Sequence, residues 1–188
     1  MMTADTKQVI MDTARAMVQA RGYSGLSFRE LAKEVGVKSA SIHYHFPTKG
    51  DLGAALARRY ADEAIEIFDA FLEASPDIGA CMRKYTDVFR SALSNNNRMC
   101  LCGIMAAEHD DLPAEVRAEV DRFTDVNIRW LIKLLSRGKS KAAAGAIAQR
   151  ALAIFAAVEG AQLVARGRGD IAVYDQAIEA YRTAGLLP

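Results

Sequence analysis

Hydrophobic positions recur at helical spacing along this 188-residue chain, and no segment alternates as a strand would. Near the amino terminus, Leu31 and Val35 share one face of a short helix, and Gly36 follows where a left-handed turn would cost little. Ile42 and Phe46 then mark the inner face of a second short helix. Two short helices joined around a glycine predict a helix-turn-helix, although two helices of an ordinary core share this pattern.

The rest of the chain predicts about seven more helices. Their expected ranges are 5–21, 51–73, 78–93, 99–108, 113–137, 142–166 and 171–184. We therefore expect an all-α protein with about nine helices. A three-helix helix-turn-helix head would occupy residues 1–50, and a larger helical body would occupy residues 51–188.

The outward face of the second short helix carries donors, small residues and a phenol, which suit a DNA groove. Two helix starts nearby, at Ser27 and Thr48, expose backbone N–H groups that can hold phosphates. Candidate DNA-binding residues are Lys38, Ser39, Ser41, His43 and Tyr44 in the major groove, with Ser27, His45, Thr48 and Lys49 near phosphates.

Charge supports this placement only through its distribution. The whole chain has a net charge of +1. Residues 1–50 hold seven Lys/Arg and four Asp/Glu, a net of +3, whereas residues 51–188 have a net of −2. A basic head on a mildly acidic body fits DNA binding at one end, although an excess of three charges can also arise by chance.

The run GYSGLSFRELAKEVGVKSASIHYHFPTKGD, residues 22–51, resembles the DNA-binding domain of the tetracycline-repressor (TetR/AcrR) family of transcriptional regulators. Its matching parts are the G-Y-x-x-L-S entry, the L-A-x-x-x-G-V core and the Y-H-F-x-x-K ending. Ile42 stands where the family frequently has an aromatic residue. The resemblance covers about residues 5–55.

This resemblance implies a homodimeric repressor that binds a double-stranded DNA operator until a small-molecule inducer binds its carboxyl-terminal part. The Ala-rich range 142–166 is apolar over more than one face, so we expect it to form a four-helix dimer interface with range 171–184. An ordinary buried helix is the alternative.

An inducer cavity is expected among the helices between residues 60 and 165. Its candidate lining is mostly apolar, with Glu108 as a further polar group, and favours a small apolar or aromatic inducer. Each lining residue could equally be plain core. The candidates are Phe68, Met82, Tyr85, Phe89, Met105, Phe123, Asn127 and Trp130.

Three cysteines, Cys81, Cys100 and Cys102, offer a rival trigger. In a cytosolic protein they would be reduced, and free cysteine commonly serves as a small buried hydrophobe. The alternative is a thiol that senses electrophiles or oxidants, for which the neighbouring Arg98 is the only support.

No catalytic or metal-binding motif stands out, so we expect no enzymatic activity and no cofactor. No apolar run reaches the ~18 residues of a membrane span, and the amino terminus has no signal-peptide pattern. A cytoplasmic protein without a membrane partner follows as the expectation. The rival classes are an enzyme of helical fold and a helical scaffold without DNA activity.

Overall fold

The computed structural model describes residues 3–138 and 143–188, with side chains from residue 6 onward. This part of the chain forms nine α-helices and one 3₁₀ turn, and it contains no strand, which confirms the all-α expectation. The helices are α1 (Thr3–Arg21), α2 (Phe28–Val35), α3 (Ser39–His45), α4 (Lys49–Ala74), α5 (Ile78–Ser94), α6 (Leu101–Ala106), α7 (Ala114–Leu135), α8 (Ala144–Arg168) and α9 (Ile171–Thr183).

Local capping explains several helix boundaries. Before α5, the side chain of Asp77 accepts a hydrogen bond from the N–H of Gly79 at 2.9 Å. Before α9, the side chain of Asp170 accepts one from the N–H of Ala172 at 2.9 Å. Gly169 ends α8 in the left-handed region at φ +65°, whereas Gly167 lies inside the helix rather than separating it from α9. The expected start of α8 at Ala142 lies outside the described residues.

The helix expected over residues 99–108 is shorter, because α6 ends at Ala106 and a 3₁₀ turn spans His109–Asp111. This turn carries two acidic residues and leads to Pro113, just before α7. A proline at that position suits the entry to a helix, since its missing N–H would be unsatisfied there anyway.

The chain packs as two compact units. Unit 1 comprises residues 1–61 with 101–123, and unit 2 comprises residues 62–100 with 124–188. In unit 1, α1 packs against α2 and α6, and α2 packs against α3. The division into a head, residues 1–50, and a body, residues 51–188, therefore remains a functional proposal, because packing groups α6 with the head.

The interior of unit 1 is built from the amphipathic faces of the head helices. Ile10, Ala14, Leu31 and Ile42 are completely buried, as their helical spacing indicates. In unit 2, α5, α8 and α9 pack against one another. Tyr85 and Tyr174 are among the largest buried side chains there.

Helix α8 is the one described helix whose length and composition would allow it to cross a membrane. The sequence has no uninterrupted apolar run of that length, but a window of α8 that tolerates two charged residues reaches it. Core and interface helices of other proteins pass the same test. Arg150 and Gln162 on α8 bond to other parts of unit 2, to the carbonyl oxygen of Leu186 and the N–H of Cys100 among others.

Candidate nucleic-acid interface and ligand-binding core

The helix-turn-helix forms as expected around Gly36. This residue has φ +78°, and its N–H donates to the carbonyl oxygen of Ala32 at 3.0 Å. The N–H of Val37 donates to the same oxygen at 2.9 Å, which closes the turn. Leu31 and Ile42 have no exposed surface, so each short helix is fixed by one apolar face.

The opposite face of α3 is left at the surface. Lys38 precedes the helix in extended conformation without a side-chain cap bond, and Ser39 opens it. The Tyr44 side chain is 77% exposed, which is unusual for a large aromatic residue on a helix only seven residues long. Ser41 is half-buried. This exposed face presents a positive charge, hydroxyl groups and a phenol.

His43 is exposed but held in place within the head. Its Nδ1 lies 3.2 Å from the carbonyl oxygen of Pro47, and its ring packs edge-on against Phe28 with centroids 4.9 Å apart. Nε2 is therefore the ring nitrogen directed toward other partners. His45 is half-buried and contacts the ring of Tyr44 at 5.1 Å.

The two predicted phosphate-competent helix starts differ in detail. Ser27 caps α2 by accepting a hydrogen bond from the N–H of Glu30 at 3.4 Å. The Glu30 carboxylate pairs with Arg21 at 3.2 Å rather than returning to the backbone of Ser27, as it would in a capping box. At α4, the hydroxyl of Thr48 donates to the carboxylate of Asp51 at 2.7 Å, so a negative charge already occupies that helix start.

Lys49 is anchored by its own unit. Its ammonium group donates to the carbonyl oxygen of Ser24 at 3.3 Å and lies 4.5 Å from the centroid of the Tyr23 ring. Partial burial lowers the pKa of Lys49, and the nearby carboxylate of Glu108 opposes that change. The Tyr23 hydroxyl has its pKa raised to about 12, chiefly by burial and also by Glu115.

Glu108 is not a polar group of an inducer cavity. Its carboxylate accepts hydrogen bonds from the N–H of Ser24 at 2.7 Å and from the Ser24 hydroxyl at 3.1 Å. Gly22, at φ +82°, lies so close that a Cβ there would overlap the Glu108 carboxylate. The expectation for Glu108 was wrong because its sequence neighbours gave no sign that it packs against the loop after α1.

Four predicted lining residues form one aromatic group in unit 2, the ring cluster of Phe68, Tyr85, Phe89 and Trp130. Phe68, Phe89 and Trp130 each lie 5.1 or 5.2 Å from Tyr85 between centroids, and Trp130 stacks on Tyr85 with an interplanar angle of 15°. The Tyr85 hydroxyl donates to Oδ1 of Asn127 at 2.9 Å, and Trp130 Nε1 donates to the Phe68 carbonyl at 2.7 Å.

The other lining candidates divide between the units. Met82 is completely buried in unit 2. Met105 and Phe123 are buried in unit 1, where Phe123 lies 5.2 Å from the ring of Tyr60. Helical spacing identified all of them as interior residues, but could not assign them to one interior or the other.

A cavity of about 230 Å³ adjoins the ring cluster in unit 2. An ion pair between Lys133 and Asp69, 2.9 Å long, lies at this cavity. Its lining residues are Ile65, Phe68, Asp69, Val126, Arg129, Trp130 and Lys133. Phe68 and Trp130 thus contribute to both the cavity and the ring cluster.

Sequence reasoning missed two polar residues on α8. Gln162 has no exposed surface, and its side chain accepts from the N–H of Cys100 at 2.9 Å and donates to the Phe89 carbonyl at 2.6 Å. Both carboxylate oxygens of Glu159 are also buried. A carboxylate and an amide three residues apart within the otherwise apolar range 151–165 were the available signal.

The three cysteines are buried, and none of them forms a disulfide. The Cys81 thiol donates to the carbonyl oxygen of Phe71 at 3.2 Å. Cys100 and Cys102 are 1% and 2% exposed, which fits the interpretation of small interior residues. Among the residues whose placement is described, no three His, Cys, Asp or Glu side chains are grouped as metal ligands would be.

The outer face of α8 shows an apolar stripe. Leu152, Leu163 and Val164 are 53%, 57% and 53% exposed, and the small residues Ala156 and Gly160 lie exposed between them. Aliphatic side chains around small residues allow close approach of another helix. The inner face of the same helix buries Ile154 and Val158.

Comparisons with known proteins agree with the head geometry. Residues 10–56 match the family model for bacterial regulatory proteins of the tetR family. The chain is 23% identical over 160 residues, 81% of each chain, to the nicotine-responsive transcriptional repressor HdnoR of Paenarthrobacter nicotinovorans. It is 40% identical over 43 residues, 23% of each chain, to the negative transcriptional regulator IcaR of the Staphylococcus aureus biofilm operon.

Solved structures extend the likeness over both units. A TetR transcriptional regulator from Legionella pneumophila is 28% identical, with a TM-score of 0.88 over 95% of this chain and 96% of that one. A TetR-family regulator from Agrobacterium tumefaciens is also 28% identical, with a TM-score of 0.85 over 93% and 94%. The helix-turn-helix, the helical body and these relatives together identify the chain as a DNA-binding transcriptional regulator of the TetR/AcrR family.

Proposed function

We propose that this chain is a cytoplasmic, homodimeric repressor that leaves its operator when a small molecule binds inside unit 2. The DNA-binding part of this proposal rests on α3, which buries Ile42 on one face and exposes polar side chains on the other. Two named relatives are repressors of transcription, one of them described as nicotine-responsive. Ligand-controlled repression is the function that accounts for both descriptions.

On DNA, α3 enters the major groove. Lys38, Ser39, Ser41, His43 and Tyr44 face the base edges, and the helix starts on either side approach the backbone. Ser27, His45, Thr48 and Lys49 are the proposed phosphate neighbours. Because Asp51 already occupies the α4 start, Lys49 is the main positive charge that this helix start offers to a phosphate.

Dimerisation uses the exposed stripe of α8 together with α9. A monomer would leave Leu152, Leu163 and Val164 in water, and adjoining apolar groups of this kind commonly mark an interface. Two heads are also needed to reach half-sites one helical turn apart on DNA. The dimer therefore supplies both the burial of this stripe and the spacing of the heads.

Release requires a ligand that binds one state of the dimer better than the other. The ring cluster with Met82 and Asn127 is the proposed binding region in unit 2. Phe68 and Leu72 belong to α4, a continuous helix that begins at Lys49, shortly after the end of α3. A ligand that shifts these residues would act on the head through α4.

An electrophoretic mobility shift with DNA from beside its own gene tests the proposal. The dimer should retard that DNA at nanomolar concentration and ignore an unrelated fragment of equal length in 150 mM salt. A variant with Ser39, Ser41 and Tyr44 replaced by alanine serves as the control for the reading face. Equal retardation of both DNA fragments, or unchanged binding by that variant, would contradict the assignment.

A further inference from the structure

Glu159 is a buried carboxylate that receives no hydrogen bond from an N–H or O–H group of the described residues. The residue retains some exposed surface, yet both of its carboxylate oxygens are buried. The Cys100 thiol, a weak donor, is the side chain that hydrogen-bonds to it. Buried carboxylates are normally paired or hydrogen-bonded, because removing the charge from water costs several kcal/mol. Glu159 therefore needs an explanation beyond packing.

The groups around Glu159 come from three segments of unit 2. Two of them are Tyr85 on α5 and Tyr174 on α9. Burial raises the pKa of each tyrosine, and the negative charge of Glu159 raises it further. Their hydroxyl protons are used elsewhere, toward Oδ1 of Asn127 and the carbonyl oxygen of Thr86. The Cys100 thiol is the third neighbour.

Gln162, one helical turn away, shows how this interior satisfies a polar group that serves the fold. Its amide bonds to one donor and one acceptor of the backbone, at 2.9 and 2.6 Å. Glu159 has no such arrangement, and burial raises its pKa to about 7 while the Cys100 thiol acts in the opposite direction. Both protonation states are thus accessible near neutral pH.

The ring cluster determines what kind of partner would suit this carboxylate. Gln162, three residues from Glu159 on α8, donates to the carbonyl oxygen of Phe89, a member of the cluster, at 2.6 Å. The Glu159 charge also raises the pKa of Tyr85, another member. Aromatic faces carry negative potential and attract cations, most strongly where water is excluded. A carboxylate beside stacked rings favours a positively charged group with an apolar body and disfavours carboxylates, phosphates and sulfates.

We propose that Glu159 and the ring cluster recognise a hydrophobic amine, whose ammonium group binds the Glu159 carboxylate while its apolar body packs on Tyr85 and the neighbouring rings. This inference rests on the proposed ligand-released repressor and adds the charge of the ligand. It also argues against Cys100 as a sensor, since that residue is 1% exposed and a reactive thiol needs access to the reagent.

Matched probes separate charge from shape. N,N-dimethylbenzylamine carries the ammonium group, isobutylbenzene is its neutral carbon isostere, and 3-phenylpropanoate is an anion of similar size. These and a graded series of larger aryl-alkyl amines with their isosteres are tested on the full-length dimer by ligand-detected NMR and thermal shift. Amines should bind at least tenfold more tightly than their isosteres, and the carboxylate should not bind.

Glu159→Gln keeps the size of the side chain and removes its charge. Amine affinity should fall at least tenfold in this variant, whereas affinity for the neutral isosteres should remain within a factor of two. Glu73→Gln is the matched control, because Glu73 is an exposed residue of α4 that belongs to neither the ring cluster nor the proposed dimer interface. That variant should bind the amines as the wild type does.

A pH profile with benzyltrimethylammonium, a permanent cation, gives an independent readout. With a pKa of about 7 for Glu159, wild-type affinity should fall about tenfold from pH 8 to pH 6, because the carboxylate becomes protonated. The tyrosines stay neutral over this range. The other ionisable groups facing Glu159 or its tyrosine neighbours are Cys100, Asp87, Arg90, Asp175 and Arg182.

The outcomes separate this inference from the proposed function. Glu159-dependent amine binding that leaves operator DNA bound would support the site and contradict ligand release. Release of DNA by neutral compounds alone, equally in wild type and Glu159→Gln, would support the repressor and overturn the amine site. The amine site is likewise overturned if no cation in the series binds, or if amines bind Glu159→Gln unchanged.

Discussion

Helices α3 and α8 differ in which side chains they expose to solvent and which they bury. The seven-residue α3 buries one apolar residue and exposes a phenol, hydroxyls and a histidine. The 25-residue α8 exposes leucine and valine and buries a carboxylate and an amide. Exposed Tyr44 on α3, and the exposed stripe and buried Glu159 of α8, depart from the polar-outside pattern without an explanation in the folding of one protomer, whereas the Gln162 amide is satisfied by the backbone. The functions that we propose therefore lie on the surface of the head, but are divided between the surface and the interior of α8.

The largest expected effect comes from the exposed stripe of α8. Leu163→Glu should yield a monomer whose affinity for a two-half-site operator falls roughly 100-fold or more, because paired heads bind with much higher effective concentration. Sedimentation at micromolar concentration and gel shift give the two readouts. Ile67→Glu, which also places a charge at an exposed aliphatic position, is the control. A wild type that sediments as a monomer would contradict the interface.

Leu163 is a better position for this test than Val158. Val158 has no exposed surface in the protomer, so a charge there would disrupt the interior of unit 2. Helical spacing alone does not distinguish the two, since α8 is apolar on both faces. Phe155, which is half-buried, would give a mixed result.

The buried carboxylate predicts a pH-dependent stability. Because the folded-state pKa of Glu159 is about 7, above its ordinary 4.5, the folded protein gains stability from the bound proton below pH 4.5 and loses it as pH rises to 7. Glu159→Gln should therefore gain on the order of 2 kcal/mol over the wild type between pH 5 and pH 8. Urea unfolding at one fixed protein concentration measures this difference. A constant difference across that range would show that the carboxylate is not desolvated.

A smaller effect is expected at Lys49. Lys49→Ala should weaken operator and non-operator binding alike, by about tenfold, and reduce the salt slope by about one phosphate contact. Lys84→Ala, on α5 in unit 2, controls for the loss of one positive charge. Fluorescence anisotropy at several salt concentrations provides both quantities. An unchanged salt dependence of DNA binding would mean that Lys49 contacts no phosphate and serves only the hydrogen bond to Ser24.

Tyr44→Phe should weaken binding a few-fold, since it removes one hydroxyl from an exposed ring and retains the ring's contacts. The anisotropy assay for Lys49 measures it on the same two DNA sequences. Equal losses on both sequences would indicate a phosphate contact, whereas a loss on the operator alone would indicate a base contact. No loss on either sequence would remove the hydroxyl from the interface.

The smallest effect is expected from thiol modification. N-ethylmaleimide should leave operator binding by the native dimer unchanged, because Cys100 and Cys102 are almost fully buried. A variant with Cys81→Ser, Cys100→Ala and Cys102→Ala should bind and release DNA as the wild type does. If the reagent releases the wild type but not this variant, a thiol is the sensor and the amine site is not the trigger.

The sequence by itself determined the local structure. Period-3.6 spacing predicted about nine helices, and the described residues form nine. Gly36 located the turn of the helix-turn-helix, and motif letters identified the family of the head. These features depend on neighbours within a few residues, so the chain order displays them directly. The exposure of Ser39, His43 and Tyr44 follows for the same reason, because a seven-residue helix that buries Ile42 turns its opposite face outward.

Only the tertiary structure decided which distant segments share an interior. It placed Glu108 on the Ser24 loop, separated Met105 and Phe123 from the ring cluster, and showed that α8 exposes an apolar stripe while it buries both carboxylate oxygens of Glu159. An Ala-rich helix with apolar residues all round has no amphipathic signal to orient it. Its orientation is set by packing against α5 and α9, and packing alone turns the Glu159 carboxylate away from water.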